Sequence, residues 1–137
     1  MEYTQIPGIG MKASRIGLGT WPIGGVMWGG SDDKEAIRTI HTAVDKGINV
    51  IDTAADYGLG HSEELIGEAL AQSGNRDSLI ISAKPGLRWK GKTIYRDGRK
   101  ERIIEEVEET LGRLRTDYID VYLVHWPDPL VDIEETA

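Results

Sequence analysis

An apolar run of strand length followed by an amphipathic stretch of helix length recurs along this chain, and that alternation restricts the fold more than any other feature. Residues 16–20 read as a buried strand, followed by a glycine-rich loop from Gly24 to Gly30 and a helix that starts at Asp32. Asp32 and Glu35 have the spacing of a capping box. Ala36, Ile37, Ile40, Ala43 and Val44 form one apolar stripe, and Gly47 is placed to end the helix in a left-handed turn. The unit then repeats. Strand 49–52 precedes a helix near 62–71, with Leu65, Ile66, Ala69 and Leu70 as its buried side and Gly74 closing it. Strand 79–83 precedes a charged loop over 85–99 and a helix over 100–114. There Ile103, Ile104, Val107, Leu111 and Leu114 share a face, and Glu105, Glu106, Glu108 and Glu109 take the solvent side. Strand 118–124 leads into 132–137, the first turn of a fourth helix.

Near-continuous apolar strands alternating with helices at roughly thirty-residue spacing predict βαβ units, a parallel sheet and right-handed connections. Four such units are half of an eight-unit barrel, whose usual length is about 250 residues. The expected class is α/β: a parallel (βα)4 half of a TIM-type (β/α)8 barrel, preceded by an N-terminal β-hairpin. An open four-stranded sheet is the alternative that the pattern alone leaves open. The 137 residues are expected to form a single domain. Residues 1–17 make the hairpin, with Pro7-Gly8-Ile9-Gly10 as its turn, and 18–137 make the βα units.

Four polar residues sit where the apolar strands run out. Asp52 ends the second strand, Lys84 the third and His125 the fourth, and Tyr57 follows Asp52 on a short glycine-containing loop. The carboxyl ends of barrel strands carry the chemistry. A lysine ending a buried strand needs an anion or water for its ammonium, and Asp52 is the obvious partner. A structural ion pair at a sheet end would explain those two residues alone. Tyr57 adds to that picture: an ammonium beside a phenol stabilises negative charge on its oxygen, so the tyrosine can act as general acid toward a carbonyl and as base in reverse. His125 can be an ordinary half-buried strand-end histidine, or a neutral donor that orients the same carbonyl oxygen. His41 and His61 lack such company and receive no role. Trp21, Trp28 and Trp126 are candidates for an apolar substrate mouth, with ordinary packing at least as good an explanation for each.

Composition narrows the partners. Sixteen Lys and Arg against 23 Asp and Glu give a net charge of −7, and the one basic cluster, Arg88 to Lys100, reads as a solvated loop, so no nucleic acid is expected. Cysteine is absent, which removes thiolate chemistry. Asp52, Asp56 and His125 could contact a hydrated cation, but the Lys84 ammonium competes with it, and no metal site is expected. The loop from Gly24 to Gly30 is neither a Walker loop nor a dinucleotide fingerprint. No run approaches the ~20 apolar residues of a membrane span and no signal peptide is evident, so the expected location is cytoplasmic, without a membrane partner.

Several segments in order resemble the aldo-keto reductase family. They are Gly17-Leu18-Gly19-Thr20-Trp21, the run from Asn49 through Asp52-Thr53-Ala54-Ala55-Asp56-Tyr57 to Gly58, Ser62 to Gly67, Ser82-Ala83-Lys84, and Asp117 through His125-Trp126-Pro127 to Asp128. The resemblance implies reversible hydride transfer between NADPH and a small aldehyde or ketone, with NADH as the alternative donor. It maps an acid–base tetrad onto Asp52, Tyr57, Lys84 and His125. It also places Gly19, Thr20, Trp21 and Asp52 near the nicotinamide end of the cofactor. Family members carry the full eight-unit barrel, whose later loops hold the rest of the cofactor, and the likeness covers the amino-terminal half.

Three readings therefore stand at this stage: a carbonyl reductase, a catalytically idle nucleotide-binding half-barrel, and a self-assembling one. An open half-barrel leaves unpaired strand edges and an apolar inner face, so self-association through those edges is expected.

Overall fold

The computed structural model describes residues 1–137. Strands β1 (Tyr3–Gln5) and β2 (Lys12–Ser14) form an antiparallel hairpin with Tyr3 opposite Ser14. The chain then runs β3 (Leu18–Gly19), α1 (Asp33–Asp45), β4 (Val50–Asp52), α2 (His61–Ser73), β5 (Ile80–Ala83), β6 (Leu87–Lys90), β7 (Thr93–Arg96), α3 (Lys100–Leu114), β8 (Val121–Tyr122) and α4 (Ile133–Thr136). Strands β3, β4, β5 and β8 make one parallel sheet in that order, which is the half-barrel expected from the alternation. The first hairpin is fastened to the amino end of this sheet: the Ser14 N–H donates to Asn49 Oδ1 at 2.7 Å and the Asn49 N–H to Ser14 Oγ at 3.0 Å.

Side-chain alternation sorts each strand into two faces. Ile51 and Ile81 are register partners, and both are buried against the helices. With Ile40, Ile66, Leu70, Leu79 and Leu114 they form a core between the sheet and α1 to α3. Each such aliphatic side chain contributes about 1.5–3 kcal/mol on burial. Asp52 and Ser82, the next register pair, lie on the opposite face. Two places on, just past the end of β5, Lys84 falls on that face as well. Asp120 ties β8 to β5 at their amino ends, accepting from the Ile81 N–H at 2.9 Å and from Arg76 at 2.8 Å.

The regular strands are shorter than the apolar runs, but pairing continues beyond them. Thr53 N–H donates to Ser82 O at 2.8 Å, Leu123 N–H to Ala83 O at 3.0 Å and His125 N–H to Pro85 O at 2.9 Å. The sheet thus reaches Lys84 and His125. Its two edges are open, and the buried character expected for 16–20 and 118–124 holds at Thr20 but not along most of either run: Ile16 is 60% exposed and Leu123 50%.

Three local expectations need correction. Residues 85–99 are not a loop: β6 and β7 pair antiparallel, Leu87 opposite Arg96 and Trp89 opposite Ile94. Leu87, Trp89 and Ile94 share one face of the hairpin, and Trp89, Ile94 and Tyr95 are β-formers that charge had masked. On α3 the most buried positions are Arg102, Glu106, Thr110 and Leu114, while Ile104 is exposed. The stripe is split: Ile103 and Ile104 at its start line a cleft with Thr136 and Ala137 at the end of α4, while Leu114 at its end joins the core. Glu106, expected in solvent, is therefore buried. Finally, Asp32 caps α1 by accepting from the Glu35 N–H at 3.0 Å, but the Glu35 carboxylate turns to Arg38, so the box is only half formed. No helix is long and apolar enough to cross a membrane.

Candidate active site

Lys84 stands one residue past β5, and its side chain is mostly covered, at 15% exposure. An ammonium has three N–H donors. Lys84 Nζ places them on Asp52 Oδ2 at 2.7 Å, the Thr53 carbonyl at 2.9 Å and Tyr57 Oη at 3.5 Å. Every donor is used, which is what makes the buried position tolerable. Because the phenol oxygen accepts from Lys84, its own O–H is free to donate elsewhere.

The loop holding Tyr57 is pinned at both ends, with the Tyr57 N–H on Ala54 O at 3.1 Å and the Ser62 N–H on Tyr57 O at 3.2 Å. Its position also depends on a close backbone crossing. Gly58 has φ +64°, and a Cβ built there would lie 2.3 Å from the Gly24 carbonyl oxygen. Only a residue without a side chain fits on either strand of that crossing. The same loop meets the first strand end through Ser62, whose hydroxyl donates to Thr20 O at 3.0 Å.

His125 stands edge-on to the Tyr57 ring, centroids 5.6 Å apart at 76°. Its Nδ1 lies 3.0 Å from Asp56 Oδ1, and neither atom has another partner. The approach is too bent for a directed hydrogen bond, so the contact is electrostatic. Asp56 was considered from sequence only as a cation ligand, and the structure gives it a different place, beside the imidazole. The signal available in sequence was its position between Asp52 and Tyr57.

A cavity of about 580 Å3 opens in front of these groups, with Tyr57, His125 and Asp56 along one side. Trp21 and Trp126 are part of its wall, and Ile94, Tyr95 and Arg96 come from the β6–β7 hairpin, with Arg96 5.3 Å over the Trp126 ring. Trp28 is absent from this lining and packs edge-on to Trp21 at 5.5 Å. Gly19 is exposed beside its register partner Asp52, with open space where a Cβ would be, so a flat ring can lie against the backbone there. Thr20, by contrast, is fully buried, and its hydroxyl donates to the Asp52 carbonyl at 2.9 Å. Its side chain holds the two strand ends together and offers no surface to a ligand.

A second buried polar group lies behind the sheet. Glu63 of α2 has no exposure, and its Oε2 accepts from Arg113 Nε at 2.6 Å. Burial raises its pKa, with Arg113 opposing. Glu106 is pushed up to about 7 by burial, against the Gly86 N–H and Arg102. Tyr122, between them, is raised by burial and by both carboxylates. His61, at the start of α2, lies 2.8 Å from Asp33, which raises its pKa, and it does not line the cavity. His41 bonds to Ala69 O at 3.1 Å.

Residues 15–137 match the Aldo/keto reductase family. The chain is 58% identical over its whole length to the aldo-keto reductase YhdN of Bacillus subtilis, covering 41% of that protein. It is 42% identical to an Escherichia coli NADH-specific methylglyoxal reductase, over 90% of this chain and 42% of the relative. Among solved structures, the glycerol dehydrogenase AKR11B4 of Gluconobacter oxydans superposes with a TM-score of 0.89 at 49% identity, over 98% of this chain and 42% of that one. The holo form of AKR11C1 from Bacillus halodurans gives 0.86 at 33% identity, over 99% of this chain and 44% of that one. The chain spans about two-fifths of the length of the relatives it matches. With a profile match over most of its residues and the half-barrel superposing throughout, this chain belongs to the aldo/keto reductase family.

Proposed function

We propose that these residues carry the proton-transfer side of a reversible, nicotinamide-dependent reduction of small aldehydes or ketones, with Tyr57 as the general acid. One observation carries the reading: Lys84 spends its third N–H on the Tyr57 oxygen, leaving the phenolic O–H beside the cavity. As negative charge grows on a carbonyl oxygen there, Tyr57 gives up its proton and the phenolate left behind rests against the Lys84 ammonium. Asp52 holds that ammonium in place. His125, across the Tyr57 ring, orients the carbonyl, and Asp56 fixes the imidazole by its charge. The apolar wall built by Trp21 and Trp126 excludes water and favours a small carbonyl compound.

A nicotinamide dinucleotide supplies the hydride when bound, and Gly19, Trp21 and Asp52 would hold its ring end. We propose NADPH as that donor. NADH is the second reading, favoured by a relative at 42% identity that is named for NADH specificity. Fluorescence titration of the chain with each nucleotide, alongside a carbonyl-reduction assay, tests both statements. Saturable binding and turnover that disappears in Tyr57→Phe is the expected result. Turnover that survives in Tyr57→Phe, or no binding of either nucleotide at millimolar concentration, would remove the proposal.

We also propose that the open edges β3 and β8 pair with a second half-barrel supplied by another copy of the chain. Unpaired backbone along both edges, with exposed Ile16 and Leu123 beside them, supports it. Sedimentation velocity over a wide concentration range should show a dimer, and a monomer persisting at high concentration would count against it.

A further inference from the structure

The turn that joins the two catalytic strand ends is held from behind by a residue the reaction does not touch. Lys84 is followed by Pro85 and Gly86. Pro85 has no N–H, and its carbonyl accepts from the His125 N–H at 2.9 Å. Gly86, at φ +100°, packs beside the residues that flank His125: its ideal Cβ position lies 3.7 Å from the Trp126 carbonyl and 3.9 Å from Val124. That leaves the Gly86 N–H as the buried donor of the turn, and a buried N–H requires an acceptor. The acceptor is Glu106 Oε2 on α3, at 3.1 Å. Glu106 is 1% exposed, and its other oxygen, Oε1, has no partner.

We propose that Glu106 is a positioning residue for the reaction, setting the Lys84–Pro85–Gly86 turn, and with it Lys84 and His125, according to whether its carboxyl is protonated. The inference rests on the reductase reading for its relevance to catalysis, but the geometry is independent of it. An ionised carboxylate draws the Gly86 N–H into a shorter, charge-assisted bond, and a neutral carboxyl accepts more weakly. The surroundings keep the two states close near neutral pH. Burial favours the neutral form and lifts the group to about 7, the Gly86 N–H and Arg102 favour the charged form, and Glu109 and Glu63 oppose it. Tyr122 from β8 faces the same group, while Arg113 is occupied by Glu63 and Arg88 of β6 by Glu109. A change of charge behind the sheet is therefore passed through one hydrogen bond to a turn whose next carbonyl holds the His125 backbone.

The test is an amide titration of the 15N-labelled chain by NMR between pH 5.5 and 8.5, in wild type, Glu106→Gln and Glu106→Leu. In wild type the Gly86 amide should shift with a midpoint near 7, and the Lys84 amide should follow with the same midpoint. Glu106→Gln keeps an acceptor and loses the charge, so both steps should vanish while the resonances stay close to one end of the wild-type titration. Glu106→Leu removes the acceptor and should displace the Gly86 and His125 amides at a fixed pH of 5.5. Steps that persist in Glu106→Gln overturn the proposal, as does a His125 amide unmoved in Glu106→Leu. Absence of nicotinamide-dependent turnover would sink the reductase reading and leave these spectra unchanged, so the two failures are distinguishable.

Discussion

Lys84 shows how one side chain is made both bearable and useful. A half-buried ammonium with an unused donor would lose free energy on folding, and its three acceptors offset that loss. The first two bonds hold the ammonium in place, and the third sets it 3.5 Å from the phenol oxygen, where it can stabilise negative charge. Lys84→Met should therefore lower turnover on the order of 10²–10⁴-fold, the usual worth of a positioned acid, while nucleotide binding in a fluorescence titration persists. Loss of binding together with turnover would instead mean that Lys84 holds the nucleotide. The sequence made these residues visible because strand-end polar groups stand out against apolar runs. Asp56 did not stand out, since an acid in a loop has no distinctive pattern until the imidazole facing it is known.

At the scale of elements, periodicity revealed the parallel strands and both ends of α3, whereas the partners of α3 were hidden. A stripe of Ile and Val marks an apolar face, but which neighbour it meets depends on the layout of the barrel. Here Ile103 and Ile104 meet α4, and the most buried face joins Leu114 to the polar Arg102, Glu106 and Thr110. Contact between α2 and α3 is set by Gly67, where a Cβ would fall 2.2 Å from the Arg113 carbonyl oxygen. That atom is backbone and cannot step aside without moving α3, so Gly67→Ala should destabilise the chain by about 1–3 kcal/mol. Urea unfolding would show this as a lower midpoint at unchanged slope, and an unchanged midpoint would show that the helices can part freely. Charge concealed the β6–β7 hairpin in a similar way, because Arg88, Lys90 and Lys92 gave the segment the look of a solvated loop.

For the molecule as a whole, buried acids set the response to pH. Glu106 titrates near 7 in the fold against an ordinary value of 4.5. Between those values the unfolded chain releases a proton that the folded chain retains. The associated stability is fully present below about pH 4.5 and lost as pH rises through about 7, a change on the order of 3 kcal/mol. Glu63 is shifted in the same direction. Calorimetry should find a lower melting temperature at pH 8 than at pH 5.5, with the gap narrowed in Glu106→Gln. An equal gap in that variant would place the pH response elsewhere. Breaking the Glu63–Arg113 pair with Arg113→Met leaves a carboxylate with no exposure and no counter-ion, and should cost about 3–5 kcal/mol at neutral pH.

The β6–β7 hairpin hydrogen-bonds mainly to itself, and its base is clasped by the Asp97 N–H on the Gly86 carbonyl at 3.1 Å. It supplies Ile94, Tyr95 and Arg96 to the cavity but none of the groups that move a proton. On the proposed reading, part of the cavity wall is thus separate in sequence from the acid–base groups. Exchanging residues 87–96 for the matching stretch of a relative should retune which carbonyl compounds are accepted and leave the acid–base machinery as it was.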